Sequence, residues 1–331
     1  MAPPGKRTEP PRSRDAAPRT GPARATGARA TDPAPAAPKA GPEPRATSLA
    51  APVPAPEQEP VLQKLLRQRA YTVLARRRQV RAVATTDSIH DLRVATRRLQ
   101  ELLDLFEPVL PGRASRLVRR RARRIRHDLA ELRDADILAN LVADLAGQAN
   151  PDERPALLAL ERRLMLHAGR LRGALAHVGR EGVPVAGIRK RLRRLVEALH
   201  PVSLYRLAAA GREGLRQRDR ELRAALWRAR TGRSADLHTL RIAVKRWRYS
   251  LEVLQASGLR RCPQAIAAAR RLQTALGGVH DLDVLIAMVG KDPQARPLAG
   301  GLRRTRTRRV RDLQAGLRTF RARALPPRRT R

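Results

Sequence analysis

Apolar positions recur every three or four residues over most of the chain, from about residue 58 to residue 325. This spacing is typical of amphipathic α-helices, and no stretch shows the sustained alternation of apolar and polar positions that marks a half-buried β-strand. Prolines and glycines are concentrated between the periodic runs, at residues 108–112, 151–155 and 182–184, where they interrupt helices. The sequence therefore predicts an all-α fold.

The first 56 residues have a different character. They are rich in Pro, Ala, Gly, Thr and Arg and show no apolar periodicity. Such a composition cannot bury a core, which predicts a disordered tail over residues 1–56 and a folded domain over residues 57–331.

Two short motifs occur twice, in the same order. The pattern H-x-x-R-x-x-x-R/K-R begins at His90 and again at His238, 148 residues later, and each copy follows polar residues that favour a helix start. The segment R-D-A-D at residues 133–136 is similar to H-D-L-D at residues 280–283, 147 residues later. The nearly constant offset predicts an internal duplication of about four helices per copy, with copy one at about 58–182 and copy two at about 187–325.

The helices that carry the first motif are amphipathic. At about 100° per residue, His90, Arg93 and Arg97 share one face, opposite a face that includes Leu92 and Leu99. The second copy places His238, Arg241 and Lys245 opposite an apolar face that includes Leu240 and Trp247. A charged helix face is usually only a solvated surface. Recurrence of histidine with the same cationic spacing favours a binding site instead.

The charge balance indicates what such a site would hold. The chain has 70 Lys and Arg residues against 30 Asp and Glu, a net charge of +40, and all but six of the basic residues are arginine. The guanidinium group is permanently charged and presents a planar fork of donors that matches phosphate oxygens. A field of this strength attracts anions, and a phosphate ligand fits its chemistry.

A second group of arginines precedes the R-D-A-D segment. Arginines crowd one predicted helix with no acid among them, including Arg116, Arg119, Arg120, Arg123, Arg124 and Arg126. Like charges at this spacing destabilise an isolated helix, so the cluster suggests neutralisation by an anion. Copy two is less basic there, with Gln273 in the position of Arg126.

These motifs together resemble a CHAD domain, named for its histidines and helices. The resemblance rests on the paired histidine motifs, the R-D-A-D and H-D-L-D segments, and the R-L-Q-x-x-L-G run at residues 271–277. It implies two four-helix bundles related by a pseudo-twofold axis, whose basic residues converge on a polyphosphate-binding surface. His280 departs from the motif, which often has Arg or Asn there.

The resemblance also implies site residues. Matched by motif, the candidates for binding polyphosphate are His90, Arg93, Arg97, Arg98, Arg123, His238, Arg241, Lys245, Arg246 and Arg270, to which the arginine-rich helix adds Arg119 and Arg126. Relatives often carry a CYTH triphosphatase domain with the signature E-x-E-x-K. Glu57-Gln58-Glu59 is followed by Val61 rather than Lys, so the expectation is a binding module without that enzyme.

Three other interpretations remain open. His90-Asp91 and His280-Asp281 are His-Asp dipeptides, as in metal phosphohydrolases, but the arginines beside His90 would repel a divalent cation, so no catalysis, metal or cofactor is expected. The aspartates are instead expected to cap a helix or pair with arginine. Nonspecific nucleic-acid binding is the main alternative, although aromatic residues make up only 2% of the chain. A structural role on polyhydroxyalkanoate granules is a further alternative.

The remaining expectations concern location. Cys262 is the only cysteine, the first ten residues lack an apolar signal region, and no uncharged apolar run approaches the ~18 residues of a membrane span. A cytoplasmic protein that contacts no membrane and can be recruited to polyphosphate granules is expected. The sequence does not indicate an oligomeric state.

Overall fold

The computed structural model describes residues 60–181 and 187–324, and within these ranges the chain forms ten α-helices and no β-strand. In chain order the helices are α1 (Val61–Ala82), α2 (Thr86–Leu105), α3 (Gly112–Asp128), α4 (Ala130–Gln148), α5 (Arg154–Glu181), α6 (Ile188–Glu197), α7 (Leu204–Arg228), α8 (Ser234–Ala256), α9 (Pro263–Val289) and α10 (Ala299–Ala324). The all-α prediction is confirmed. The predicted disordered tail, residues 1–56, and the predicted break at residues 182–184 lie outside the described residues.

The two helices that carry the histidine motif begin where the polar residues predict. α2 begins at Thr86, and the hydroxyl of Thr85 accepts a hydrogen bond from the backbone N–H of Ser88 at 3.1 Å, which satisfies a free donor of the first turn. α8 begins at Ser234, directly after the left-handed residue Gly232 (φ 70°) and Arg233. His90 and His238 are therefore each the fifth residue of their helix.

Helices adjacent in sequence pack against one another in both halves of the domain. α1 contacts α2, α2 contacts α3, and α4 contacts α5, while α7, α8, α9 and α10 form an equivalent series. The long helix α9 takes the place of α3 and α4, which are separate in the first half because the chain breaks at Leu129. α6 has no counterpart and packs on α1 and α3. Interpretation of this arrangement as a duplication stays a prediction.

The core is aliphatic and extends across both halves. One cluster joins α1, α2, α7 and α8 and includes Leu66, Leu92 and Leu240, none of which is exposed. A second cluster joins the ends of α4, α5, α9 and α10. Full burial of each leucine contributes about 2 kcal/mol, so the contacts of α2 with α8 and of α4 with α9 are held by apolar packing.

α9 is long and apolar enough to cross a membrane by length and composition alone. A single helix of this kind is weak evidence, since core helices of soluble proteins share these properties. Here Leu272, Leu276 and Val279 are buried in the first core cluster, and the helix packs between α8 and α10.

Candidate functional site

The two motif helices, α2 and α8, pack against each other. Their predicted apolar faces are buried, as the full burial of Leu92 and Leu99 in α2 and of Leu240 in α8 shows. The cationic side chains of the two motifs are therefore carried by two neighbouring helices of one hydrophobic core.

Four cations from these helices form a single group, which we term the central basic cluster: Arg93 and Arg97 of α2, and Arg241 and Lys245 of α8. The charge of Arg241 acts on Arg93, and the charge of Arg97 acts on both Arg241 and Lys245. Residues that are about 150 positions apart in sequence are thus close enough to repel one another.

Burial and mutual repulsion weaken the basicity of the cluster. Burial is the main cause, and the neighbouring cations add to it, so that the pKa values of Arg93 and Arg241 are lowered. The pKa of Lys245 falls to about 7, because of burial first and then the charges of Arg241 and Arg97. A bound anion would reverse these shifts, since it stabilises the protonated forms.

Two carboxylates partly compensate the cluster. Asp134 and Asp281 are the first aspartates of the R-D-A-D and H-D-L-D segments, and the charge of Asp134 supports protonation of both Arg93 and Arg241. Asp281 does the same for Arg241 and Lys245, although burial raises its own pKa. Two acids against four cations leave the cluster with a positive surplus.

Arg126 extends the cluster from α3. Its Nη2 donates to the side-chain oxygen of Gln100, and its backbone carbonyl accepts from Nη1 of Arg93. Its own Nη1 is buried without a hydrogen-bond partner in the structure. Burial, followed by the charges of Arg97 and Arg93, lowers the pKa of Arg126 to about 10. The exposed side chain of Arg123 lies close enough to contribute to that shift.

The motif histidines are also less basic than usual. Burial is the main cause for both, with the charge of Arg133 second for His90 and that of Arg241 second for His238. The arginine one turn along the helix, Arg93 or Arg241, lowers the histidine pKa less than burial does in both cases. Both rings favour the neutral form in the absence of a ligand.

His280 lies against His238. Their Nδ1 atoms are 3.4 Å apart and their ring centroids 4.9 Å apart. Burial, then the charges of Arg241 and His238, lowers the pKa of His280 to about 4. His280 therefore belongs to the site, in the motif position that Arg133 occupies beside His90.

Arg98 and Arg270, although predicted to bind the ligand, share a carboxylate within the protein. Nε of Arg98 and Nη2 of Arg270 each lie 3.3 Å from the carboxylate of Glu252, which also accepts from Arg248 at 2.7 Å. Glu252 is only 10% exposed, so this hub holds α2, α8 and α9 together. One carboxylate cannot neutralise three guanidinium groups, so Arg98 and Arg270 are anchored within the protein while the hub keeps a positive surplus.

Arg119 and Arg246 are similarly engaged. Arg119 pairs with Asp104 at 3.2 Å and with Glu107 at 2.8 Å, and its side chain is 11% exposed. Arg246 pairs with Glu221 at 3.3 Å. The structure places both in ion pairs between or within helices and not in the central basic cluster.

The second aspartate of each segment has a structural partner. Arg172 of α5 pairs with Asp136 and also donates to the carbonyl of Ala84 at 3.2 Å and the hydroxyl of Thr86 at 2.9 Å. This clamp fastens α5 to the start of α2. It agrees with the expectation that the aspartates of the two segments pair with arginine.

The second clamp repeats the first. Arg306 of α10 pairs with Asp283 and donates to the carbonyl of Gly232 at 3.2 Å and the hydroxyl of Ser234 at 2.8 Å. The three acceptors follow those of the first clamp at the 147 and 148 residue offsets. This agreement supports the predicted duplication.

Sequence reasoning missed three members of the site. Arg133 and His280 are the first residues of the R-D-A-D and H-D-L-D segments, but the sequence analysis gave them no role. Their equivalent positions in the two copies were the sequence signal that could have identified them. Gln100 carries no charge and gave no signal alone. In copy two the pair is exchanged, with Arg248 donating to Gln273 at 3.0 Å, so donor and acceptor swap helices.

The site offers little to a metal ion. Within residues 60–181 and 187–324, no three or more His, Cys, Asp or Glu side chains form a group able to hold one. The histidines at the site have cationic neighbours, which disfavour a divalent cation. What the arrangement can do chemically is donate hydrogen bonds and charge to an extended anion.

Comparison with known proteins gives a consistent result. The family model described as the CHAD domain matches residues 61–290, and no CYTH domain is evident. The fold is similar to the crystal structure of the CHAD domain from the plant Ricinus communis, with a TM-score of 0.60 and 22% identity over 81% of this chain and 91% of that one. It is also similar to PptA from Streptomyces chartreusis, with a TM-score of 0.57 and 17% identity over 79% and 99% of the two chains. No curated protein matches the sequence.

Proposed function

Since the chain belongs to the CHAD domain family, which is associated with polyphosphate, we propose that it binds inorganic polyphosphate through the central basic cluster. The proposed contacts are Arg93, Arg97, Arg241 and Lys245, with Arg123 and Arg126 at the α3 side. His90, His238 and His280 line the same surface.

The observation that carries this proposal is the convergence of cations from α2 and α8. Two carboxylates, Asp134 and Asp281, leave the cluster undercompensated, and the pKa of Lys245 is lowered to about 7 as a result of burial and repulsion. Uncompensated, partly buried cations raise the free energy of the unliganded protein. Such clusters are therefore expected where an anionic ligand neutralises the excess positive charge. A polyanion does so at several positions at once.

A ligand without bases fits the site better than nucleic acid. The donors are guanidinium groups, an ammonium group and imidazoles, which suit phosphate oxygens. The exposed aromatic side chains Tyr71, Tyr205 and Trp227 lie on α1 and α7, and so not on the helices that form the cluster. Stacking of bases on aromatic platforms is the usual basis of single-strand binding. Nonspecific nucleic-acid binding at low salt remains the second candidate, given the net charge of +40.

The proposed role is binding without catalysis. The aspartates of the two segments pair with arginines or compensate the cluster, and neither arrangement supplies a general base or a metal ligand set. We place the protein in the cytoplasm, where binding would recruit it to polyphosphate granules. Polyhydroxyalkanoate granules are the alternative surface.

The decisive experiment is competition at about physiological salt. Long-chain polyphosphate, single-stranded DNA and heparin are titrated against a labelled polyphosphate bound to the full chain. The proposal expects polyphosphate to displace the label at a concentration at least tenfold lower than DNA at equal charge. Equal or stronger competition by DNA would identify a general polyanion or nucleic-acid binder.

A further inference from the structure

A second concentration of positive charge lies on α6. Its apolar side chains Ile188, Leu192 and Leu195 are buried. The rest of the helix surface carries five basic residues within ten positions, namely Arg189, Lys190, Arg191, Arg193 and Arg194. The single acid of this helix, Glu197, pairs with Arg193 at 3.3 Å. α6 supplies no further acid to pair with the other four cations.

A cavity of about 910 Å³ is lined by this helix and by the start of α3. Four cations line it: Arg113 from α3, and Lys190, Arg191 and Arg194 from α6. The other described residues that line it are Pro, Gly, Ala and Leu, with no acid among them. A concave surface with apolar walls and several cations concentrates an anion more strongly than a flat charged face.

Repulsion extends from this cleft into the neighbouring helices. Burial and then the charge of Arg191 lower the pKa of Arg121 on α3. Arg121 acts in turn on Arg77 of α1, whose Nε is buried without a hydrogen-bond partner in the structure. Three helices thus bring like charges together, as α2 and α8 do at the central basic cluster.

The geometry of α3 separates the two regions. At about 100° per residue, Arg126 and Arg121 point about 140° apart around the helix, on opposite flanks of the buried stripe formed by Val118, Ala122 and Ile125. Arg126 joins the central basic cluster, whereas Arg121 faces Arg191. A ligand in the cleft therefore leaves the central cluster free.

We propose that the cleft between α3 and α6 is a second binding site for a phosphate polyanion, with Arg113, Lys190, Arg191 and Arg194 as its contacts. This inference rests on the proposed function for its ligand class. One molecule then holds two polyphosphate segments, and it can bridge two chains or two parts of one chain. Because α6 has no counterpart in the second half, this capacity belongs to one half alone.

Calorimetry with tripolyphosphate tests the second site, because so short a probe favours independent occupation of each region. The full chain is compared with a cleft variant (Lys190→Gln, Arg191→Gln, Arg194→Gln) and a cluster variant (Arg97→Gln, Lys245→Gln). A matched control removes three charges from exposed positions of α10 (Arg303→Gln, Arg308→Gln, Arg311→Gln). Thermal melting confirms that each variant is folded.

We expect the full chain and the control to bind two equivalents of tripolyphosphate. The cleft variant and the cluster variant should each bind one equivalent, and the affinity of the site that is left should change by less than about threefold. One equivalent that is lost only in the cluster variant overturns the second site and leaves the proposed function intact. One equivalent that is lost only in the cleft variant overturns the proposed central site. No binding to any variant, together with none to long-chain polyphosphate, overturns both.

Discussion

The Nδ1 atoms of His238 and His280 face each other at 3.4 Å. Two N–H groups cannot both point into this gap, so protonation of one ring disfavours protonation of the other. The same two rings lie beside Arg241 and Lys245, which further favour the neutral state. The pair is therefore sensitive to any anion that enters the site.

We expect His238 and His280 to take up protons when polyphosphate binds. A polyanion raises the lowered pKa values of His238 and His280, so affinity should rise as pH falls from about 7 to 5 and level off only near the free value of about 4 for His280. The measurement is polyphosphate affinity against pH for the wild type and for His238→Gln with His280→Gln. Ionisation of the ligand contributes equally to both proteins. Parallel curves would mean that the rings only support the fold.

Because of Lys245, we expect polyphosphate affinity to depend on pH in a second range, at higher pH. Arg241 on its own helix, Arg93 and Arg97 on α2, and Asp281 on α9 act on it, and its free pKa is about 7. A bound polyanion raises that value, so affinity should fall as pH rises from about 7 to 9. Lys245→Arg keeps the charge at all these pH values and should flatten the curve in that window. An unchanged slope in the Arg variant would exclude Lys245 as its source.

Both motif helices should be required for binding, because one ligand contacts cations of each. Arg93→Glu with Arg97→Glu, and separately Arg241→Glu with Lys245→Glu, should each weaken polyphosphate binding more than tenfold. The matched control reverses two exposed charges of α10, Arg303→Glu with Arg308→Glu, and should cost less than about threefold. Normal binding by either α2 or α8 variant would disprove a shared site.

The free protein should become more stable when Lys245 loses its charge. Lys245→Met retains the apolar stem, and the unfolding free energy should rise by on the order of 1 kcal/mol after allowance for solvent screening. Because the folded pKa of Lys245 is depressed to about 7 from its ordinary value of 10.5, the gain should be full below pH 7 and decline as pH rises towards 10.5. Urea denaturation at pH 6 and 10 measures it. A destabilised variant at pH 6 would show that the charge is well compensated.

The clamp on Asp136 should be structural. Asp136 is 5% exposed, so Arg172→Ala leaves a buried carboxylate without its partner and should lower the unfolding free energy by about 3 kcal/mol. Arg170→Ala, at an exposed position of the same helix, is the control and should change it by less than about 0.5 kcal/mol. Equal stability of the two variants in urea would show that the Arg172–Asp136 pair does not stabilise the fold. Polyphosphate affinity of the folded Arg172 variant should stay within about threefold.

Features that depend on one helix could be predicted from the sequence, whereas contacts between helices that are distant in sequence could not. Periodicity within one helix sufficed to place Leu92 in the core and Arg93 on the cationic side. It could not show that α2 lies against α8, because that contact depends on the packing of the whole domain. Nor could it show that Arg98 and Arg270 converge on Glu252, a residue 154 positions from the first of them. A charged position looks the same in sequence whether its partner is a ligand or a buried carboxylate.

The exchange of donor and acceptor between the pairs Gln100 with Arg126 and Arg248 with Gln273 limits how the two halves can be recombined. A hybrid that joined α2 to α9 would set Gln100 against Gln273, and the reciprocal hybrid would set Arg248 against Arg126. The first loses a charge from the interior of the site, and the second forces two guanidinium groups together. The halves are therefore not interchangeable modules, and swapping helices between them requires both positions to be exchanged at once.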